Sequence, residues 1–306
     1  MSGKSTNASV PANDVYQNDG RQNDVRMTID AGAASDQGQV RENNEDSYSL
    51  APELGVYVLS DGMGGLASGE VASRLVTETV VAHFRDAAEN PSVAFEGRKM
   101  EAVSGASNRL ASAIGLANRA VRAAAQKNEE QHGMGATVVA LCFEGERVSV
   151  GHVGDSRAYR FRRSDEKLEQ LTEDHSFVAE LIRRGNISEE QANESNLHGV
   201  LIRAVGTDPE VQVDIREEIV APGDIFLLCS DGLTRELDDA AIAAALADGA
   251  NAQAAADRLI SLANASGGGD NITVIVLRVP GEPPKKNGTH GTLARIGKWL
   301  KSPVLK

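Results

Sequence analysis

Aromatic side chains make up only 4% of the 306 residues, with a single tryptophan. Any core must therefore be filled mainly by aliphatic residues, and the 41% hydrophobic share allows a sizeable one. Basic residues are also in short supply: 31 Lys and Arg face 44 Asp and Glu, a formal net charge of −13. A field of that sign argues against DNA or RNA as the main partner and suits a site for cations. Cysteine is confined to Cys142 and Cys229, both in apolar runs far apart in sequence. They read as small buried hydrophobes of a reducing compartment, not as a disulfide framework. Cys/His spacing of the zinc type is missing. No apolar run reaches the roughly 18 residues of a membrane span. The first 26 residues are rich in Asn, Ser, Asp and Gln without an apolar centre, so they are expected to be disordered and not a secretory signal. The folded part is expected in the cytoplasm.

What the chain does have is one arrangement used three times. Val56-Tyr57-Val58-Leu59-Ser60 reads as a buried strand, and it ends on Asp61-Gly62-Met63-Gly64-Gly65. Asp61 would sit at a strand tip, with glycines that let the backbone approach an ion or a phosphate. By itself this is an ordinary strand-to-helix turn. The run Asp224 to Cys229 repeats it, ending in Ser230-Asp231-Gly232, and Gly268-Gly269-Asp270-Asn271 precedes the strand Ile272 to Leu277. Three aspartates at glycine-flanked strand ends can converge if those strands are neighbours. Such hard oxygen ligands suit magnesium, manganese or calcium.

Taken in order, strands are expected at 27–35, 48–51, 56–60, 136–143, 148–153, 158–161, 168–171, 211–217, 225–230 and 272–277. Helical spacing predicts helices at about 68–86, 99–127, 176–184, 238–247 and 252–265. The turn Phe143-Glu144-Gly145-Glu146 suits antiparallel pairing. His83, on an apolar helix face, reads as a core or boundary residue. Strands and helices in this order predict an α+β fold, a four-layer α-β-β-α sandwich of two antiparallel sheets with helices on both outer faces. The expected organisation is a disordered segment 1–26, one domain at 27–280 with a polar flap at about 176–206, and a basic tail at 281–306. That tail carries a net charge of +5 from Pro280 onward, leaving −18 on the rest. Leu293, Ile296 and Leu300 share one helical face beside Trp299, so the tail is either a short amphipathic helix touching anionic lipid or the acidic domain, or a solvated basic tail.

Seven segments in this order resemble the metal-dependent serine/threonine phosphatases of the protein phosphatase 2C family, in their bacterial form. They are Val40-Arg41 with Asn44-Glu45-Asp46, Ser60 to Gly65, Gly135-Ala136-Thr137, Gly154-Asp155-Ser156-Arg157-Ala158, Glu173-Asp174-His175, Ser230-Asp231-Gly232-Leu233-Thr234, and Gly269-Asp270-Asn271-Ile272-Thr273. The resemblance covers about Met27 to Val279 and implies a binuclear manganese or magnesium centre. Asp61 would bridge the two ions, Asp231 and Asp270 would complete one, and the Gly62 carbonyl would bind the other. Glu45 and Asp46 would act mainly through waters, and Asp155 with Asp231 match a weaker third position. Arg41 matches the residue that holds the substrate phosphate. Implied partners are phosphoprotein substrates and an opposing serine/threonine kinase, and the chain is expected to be a monomer.

Phosphate ester hydrolysis explains why such residues would be needed. Two ions about 3.5–4 Å apart can activate a shared water for in-line attack, and several fixed carboxylates must balance their four charges. Arginine at 41 offers a planar fork for two phosphate oxygens, which lysine could not; without its acidic neighbours, a salt bridge to Glu42 or Glu45 would be the better reading. Where many eukaryotic relatives place a histidine this chain has Met63, which has no proton to give, so the leaving oxygen must take its proton from a metal-bound water or another side chain. His175 reads as structural, capping the next helix together with Asp174. Ile202 stands where the family often has threonine, which bears on flap-linked substrate preference. Two other readings remain: a catalytically silent phosphoprotein binder, and a two-metal hydrolase of small phosphoesters or of an anti-sigma antagonist.

Overall fold

Strands whose neighbouring residues are all apolar can be stable only if both of their faces are covered. The chain has several, and its fold covers each of them twice. The structure, a computed structural model, describes residues 28–282 apart from 65–67, 91–92, 94, 96–98, 189–190, 192–196 and 198. The expected disordered segment, most of the tail and part of the flap therefore lie outside the described residues.

The elements are β1 (Asp30–Asp36), β2 (Asp46–Ala51), β3 (Val56–Met63), α1 (Ser68–Glu89), α2 (Gly105–Lys127), β4 (Gly135–Ala136), β5 (Val138–Glu144), β6 (Arg147–Val153), β7 (Arg157–Arg162), β8 (Lys167–Gln170), α3 (Phe177–Arg183), β9 (Asp214–Ile219), β10 (Asp224–Cys229), α4 (Asp231–Glu236), α5 (Asp239–Asp248), α6 (Ala252–Ser266) and β11 (Ile272–Arg278). One sheet runs β1-β11-β10-β7-β8 and the other β2-β3-β5-β6-β9, with β4 paired to β3. Every pairing is antiparallel.

Alternation along each strand sorts the core into three layers. Val56, Val58, Val138 and Ala140 face α1 and α2, meeting Val76, Val80, Leu110 and Ile114. Tyr57, Leu59, Val139 and Leu141 turn the other way, against Phe226, Leu228, Ile275 and Leu277 of the opposite sheet. Ile225, Leu227, Val274 and Val276 close the third layer against Leu246, Leu259 and Ala263 of α5 and α6. This is the four-layer sandwich expected. Cys142 and Cys229 are both free and buried, filling space as small hydrophobes.

Four details differ from the sequence expectation or go beyond it. Helix α2 starts at Gly105, six residues later than its composition suggests, because Ser104 caps it by accepting from the Ser107 N–H. Strand β9 starts at Asp214, after Val211 and Val213 have packed against the first core layer. For β5 to β8 the sequence predicts only antiparallel pairing; the structure adds that β5 and β6 belong to one sheet and β7 and β8 to the other. The crossing between them is Gly154-Asp155-Ser156. Helix α4, six residues long, is too short for periodicity to reveal.

Phe226 is fully buried in the middle layer, with its ring edge-on to Phe143 at 5.5 Å. Phe226→Ala should cost about 3–5 kcal/mol in denaturant unfolding with an unchanged slope. A loss below about 1 kcal/mol would mean that the two sheets are not packed face to face as described.

Candidate metal centre

At one end of the sandwich the strand tips of both sheets deliver acidic residues to a single cavity of about 400 Å³. Asp61 comes from the end of β3, Asp231 from the first residue of α4, one residue beyond the end of β10, and Asp270 from the turn before β11. Asp155 comes from the crossing between the sheets, and Arg41, Glu45 and Gly62 complete the set of sequence-predicted residues on the lining. Asp46 is not on the lining, although it pairs with Asp61 in the β2–β3 register. Its Oδ2 accepts from Ser230 Oγ at 2.8 Å.

Two residues hold this end together. Asn271 donates from Nδ2 to the carbonyls of Gln37 (2.9 Å) and Asn43 (2.8 Å), and its Oδ1 accepts from the Glu45 N–H at 2.9 Å. The loop carrying Arg41 and Glu45 is thereby fastened to the start of β11. Thr137 does the same for Asp61: its hydroxyl accepts from the Asp61 N–H at 2.9 Å, and its own N–H donates to the Asp61 carbonyl at 2.8 Å. That hydroxyl also shares a 2.6 Å hydrogen bond with Ser156, beside Asp155. Glycine is required where backbones nearly touch: a Cβ on Gly62 would lie 2.0 Å from the Gly69 carbonyl oxygen, and one on Gly232 would lie 2.1 Å from that of Asn271.

Burial is the main reason why these acids hold their protons unusually tightly, with mutual repulsion adding to it. Asp46 and Asp155 are pushed up to about 7. Asp61 is raised well above the ordinary carboxyl range, and Asp231 is raised despite the opposing charge of Arg235. Glu45 is raised by burial as well. Two guanidinium groups lie on the cluster. Arg41 Nη2 is 2.8 Å from Asp270 Oδ2, and Arg235 Nη1 is 2.9 Å from the same oxygen. Arg235 also pairs with Asp231.

Asp46 Oδ1 and Asp231 Oδ1 are buried and have no hydrogen-bond partner. Leaving a buried acceptor unmet costs on the order of 1–3 kcal/mol, which a cation would offset. Hard carboxylate donors gathered around recessed, unsatisfied oxygens fit manganese or magnesium.

The protein phosphatase 2C family model matches residues 37–264, a span that carries every one of these acids except Asp270. The chain belongs to the protein phosphatase 2C family. It is 38% identical over 255 residues to the serine/threonine protein phosphatase PstP of Mycobacterium tuberculosis, covering 83% of this chain and 46% of that protein. The chain thus spans about half the length of that mycobacterial relative. Against the serine/threonine phosphatase stp of Listeria innocua it is 34% identical over 246 residues, 79% of this chain and 93% of the relative. The crystal structure of Mycobacterium tuberculosis PstP/Ppp superposes with a TM-score of 0.72 at 35% identity, over 83% of this chain and 99% of that one. A structure of the PstP catalytic domain in complex with 2 manganese ions superposes with a TM-score of 0.68, at 35% identity over 83% and 100% of the two chains.

This protein phosphatase 2C domain contains a second polar cluster that sequence reasoning did not assemble. Among the described residues, His152, His175 and Asp214 are the one trio whose donor atoms all lie within 4.8 Å of one another. Arg203 already supplies the cation there, 2.6 Å from Asp214 Oδ1 and 3.1 Å from His175 Nε2. Gly154 N–H donates to His175 Nδ1 at 3.1 Å, so that ring nitrogen is an acceptor and Nε2 carries the proton towards Asp214 Oδ2, 3.1 Å away. This cluster ties the base of the flap to the sheet crossing. Neither Asp174 nor His175 caps α3, as expected from sequence; Ser176 does so by accepting from the Ala179 N–H. Asp174 instead binds the guanidinium of Arg157 through both oxygens. Arg235 was also missed, since its Asp–Arg spacing from Asp231 carries meaning only once α4 is known to be a helix.

A carboxyl group raised by folding binds its proton more tightly folded than unfolded. The stability it contributes is complete below about pH 4 and is lost as pH rises towards about 7. In chelator, wild type should therefore lose stability relative to Asp46→Asn across that window, by up to about 1.4 kcal/mol per pH unit. Parallel pH profiles for the two proteins would contradict the burial assigned to Asp46.

Proposed function

We propose that the chain is a serine/threonine protein phosphatase that hydrolyses phosphoserine and phosphothreonine in proteins with a pair of manganese or magnesium ions. The observation that carries this reading is the convergence of acids from both sheets on one cavity, with two buried oxygens left unsatisfied. Asp61, the Gly62 carbonyl, Asp231 and Asp270 would hold the two ions, with Glu45 and Asp46 acting through waters and Asp155 with Asp231 offering a weaker third position. Bound there, the ions would supply Lewis acidity that activates a water and screens the phosphate dianion.

The rest of the work belongs to the chain. Arg41 is half-exposed at the cavity mouth, where its planar fork can take two phosphate oxygens and fix the ester for in-line attack. Thr137 and Asn271 hold Asp61 and the Glu45 loop still, so little reorganisation accompanies the reaction. Met63 lines the cavity and has no proton to offer, so the leaving oxygen takes its proton from solvent or another side chain. Gly199 and Leu201 line the same cavity, which supports reading the flap at about 176–206 as the part that bears on substrate preference.

The domain is read as residues 27–280, acting in the cytoplasm as a monomer against the products of a serine/threonine kinase, with no nucleic acid partner. No helix among the described residues is long and apolar enough to cross a membrane. The basic tail, 281–306, is read as a weak contact to anionic lipid or to the acidic domain itself.

Manganese-dependent phosphate release from a phosphothreonine peptide should fall by at least about a hundredfold in Asp61→Asn. Arg41→Lys should raise KM more than it lowers kcat. Equal release by wild type and Asp61→Asn would end the catalytic assignment, and faster turnover of free phosphoserine than of the peptide would favour a small-phosphoester hydrolase. For the tail, Trp299 emission should shift to the blue with anionic vesicles; an unshifted spectrum removes the lipid contact.

A further inference from the structure

Arg235 has no part in the ligand set above, yet it makes contacts as close as any in the cavity. It stands one helical turn after Asp231 on α4, the spacing that turns a guanidinium back onto a carboxylate of the preceding turn. One of its nitrogens pairs with Asp231 Oδ2 and another, Nη1, with Asp270 Oδ2 at 2.9 Å. It therefore bridges two acids that come from the ends of different strands. Arg41 reaches the same Asp270 oxygen at 2.8 Å. The arginine side chain is 38% exposed while Asp231 and Asp270 are 16% and 14% exposed, so a solvent-reaching cation lies across recessed anions.

We propose that Arg235 is a tethered counter-cation of the acid cage, which competes with divalent ions for Asp231 and Asp270 and so sets the affinity of the site for them. The inference rests on the metal centre proposed above. A carboxylate oxygen that already accepts from two guanidinium groups has little capacity left for a divalent ion, so Arg235 must turn away from Asp270 for an ion to be held there. The flap backbone borders the guanidinium, since a Cβ on Gly199 would stand 3.6 Å from Arg235 Nη2, so the side chain has to swing away from both Asp270 and the flap, towards solvent. The same contacts have an opposite value without ions. Arg235 then offsets repulsion among Asp231, Asp270 and Asp155, which the cage would otherwise feel in full.

An intramolecular competitor multiplies the apparent dissociation constant by the factor in which its bonded form is favoured. Two ion pairs made by a partly exposed arginine, each weakened by solvent, together correspond to about tenfold. The experiment is calorimetric titration of the whole chain with manganese chloride, together with thermal melts in chelator, for wild type, Arg235→Gln, Arg235→Lys and Asp270→Asn. Arg235→Gln should bind manganese about tenfold more tightly and yet melt lower in chelator, with Arg235→Lys between it and wild type in both. Manganese affinity in Arg235→Gln equal to or weaker than wild type would overturn the inference while leaving the metal centre standing. So would a melting temperature in chelator at or above that of wild type. If Arg235→Gln does not fold, the order of Arg235→Lys against wild type decides in the same two directions. Unchanged manganese binding in Asp270→Asn would instead overturn the metal centre itself, and this inference with it.

Discussion

Repulsion among like charges held out of water is the constraint that the rest of the molecule answers to. Glu45, Asp61, Asp155, Asp231 and Asp270 line one cavity, and Asp46 is buried close enough for its charge to raise Asp61. Left to flexible loops, such groups would separate and take up water. Here they are anchored on strand ends whose residues are locked by a core on each face. Thr137 and Asn271 then remove the remaining freedom of the loops by hydrogen bonds to backbone. The stable sandwich thus carries a locally unfavourable site, as sites of chemistry commonly require.

Close backbone approach is the second requirement, and it explains the glycines better than turn propensity does. Gly62 lets the end of β3 meet the start of α1 at Gly69, where the Glu45 side chain also lies. Gly232 lets the start of α4 press against Asn271, the residue that clasps the Arg41 loop. Each Asp-Gly pair therefore places a carboxylate at a strand tip while the following residue lets a second element close in behind it. Larger side chains at these positions would force the strand tips apart.

Much of this was legible in the sequence, for identifiable reasons. Strands β3, β10 and β11 announce themselves because burial on both faces demands unbroken apolar runs, and α1 follows from its periodicity. The sorting of β5 to β8 into two sheets was not legible, since short antiparallel strands have the same spacing whether the next one pairs beside its neighbour or crosses the core. Ser104 hides the start of α2 because residues 99–104 are composed like a helix and only the cap marks the boundary. Within the site, acids at glycine-flanked strand ends could be picked out in advance. Thr137, Asn271 and Arg235 could not be given their contacts, because those exist only after distant segments have been brought together.

The crossing at Gly154-Asp155-Ser156 has a consequence for how the domain holds together. Asp61 belongs to the sheet of β2 and β3, Asp231 and Asp270 flank strands of the other sheet, and Asp155 lies on the strap between them. Neither half of the sandwich owns a complete set, so no fragment ending at that strap could assemble the cavity alone. A cation gripped from both sides would behave as a removable cross-link over loops of more than a hundred residues, from Asp61 to Asp231. Proteolytic resistance of the whole domain would then report on cation supply, making persistence of the polypeptide itself a gauge of the metal available to it.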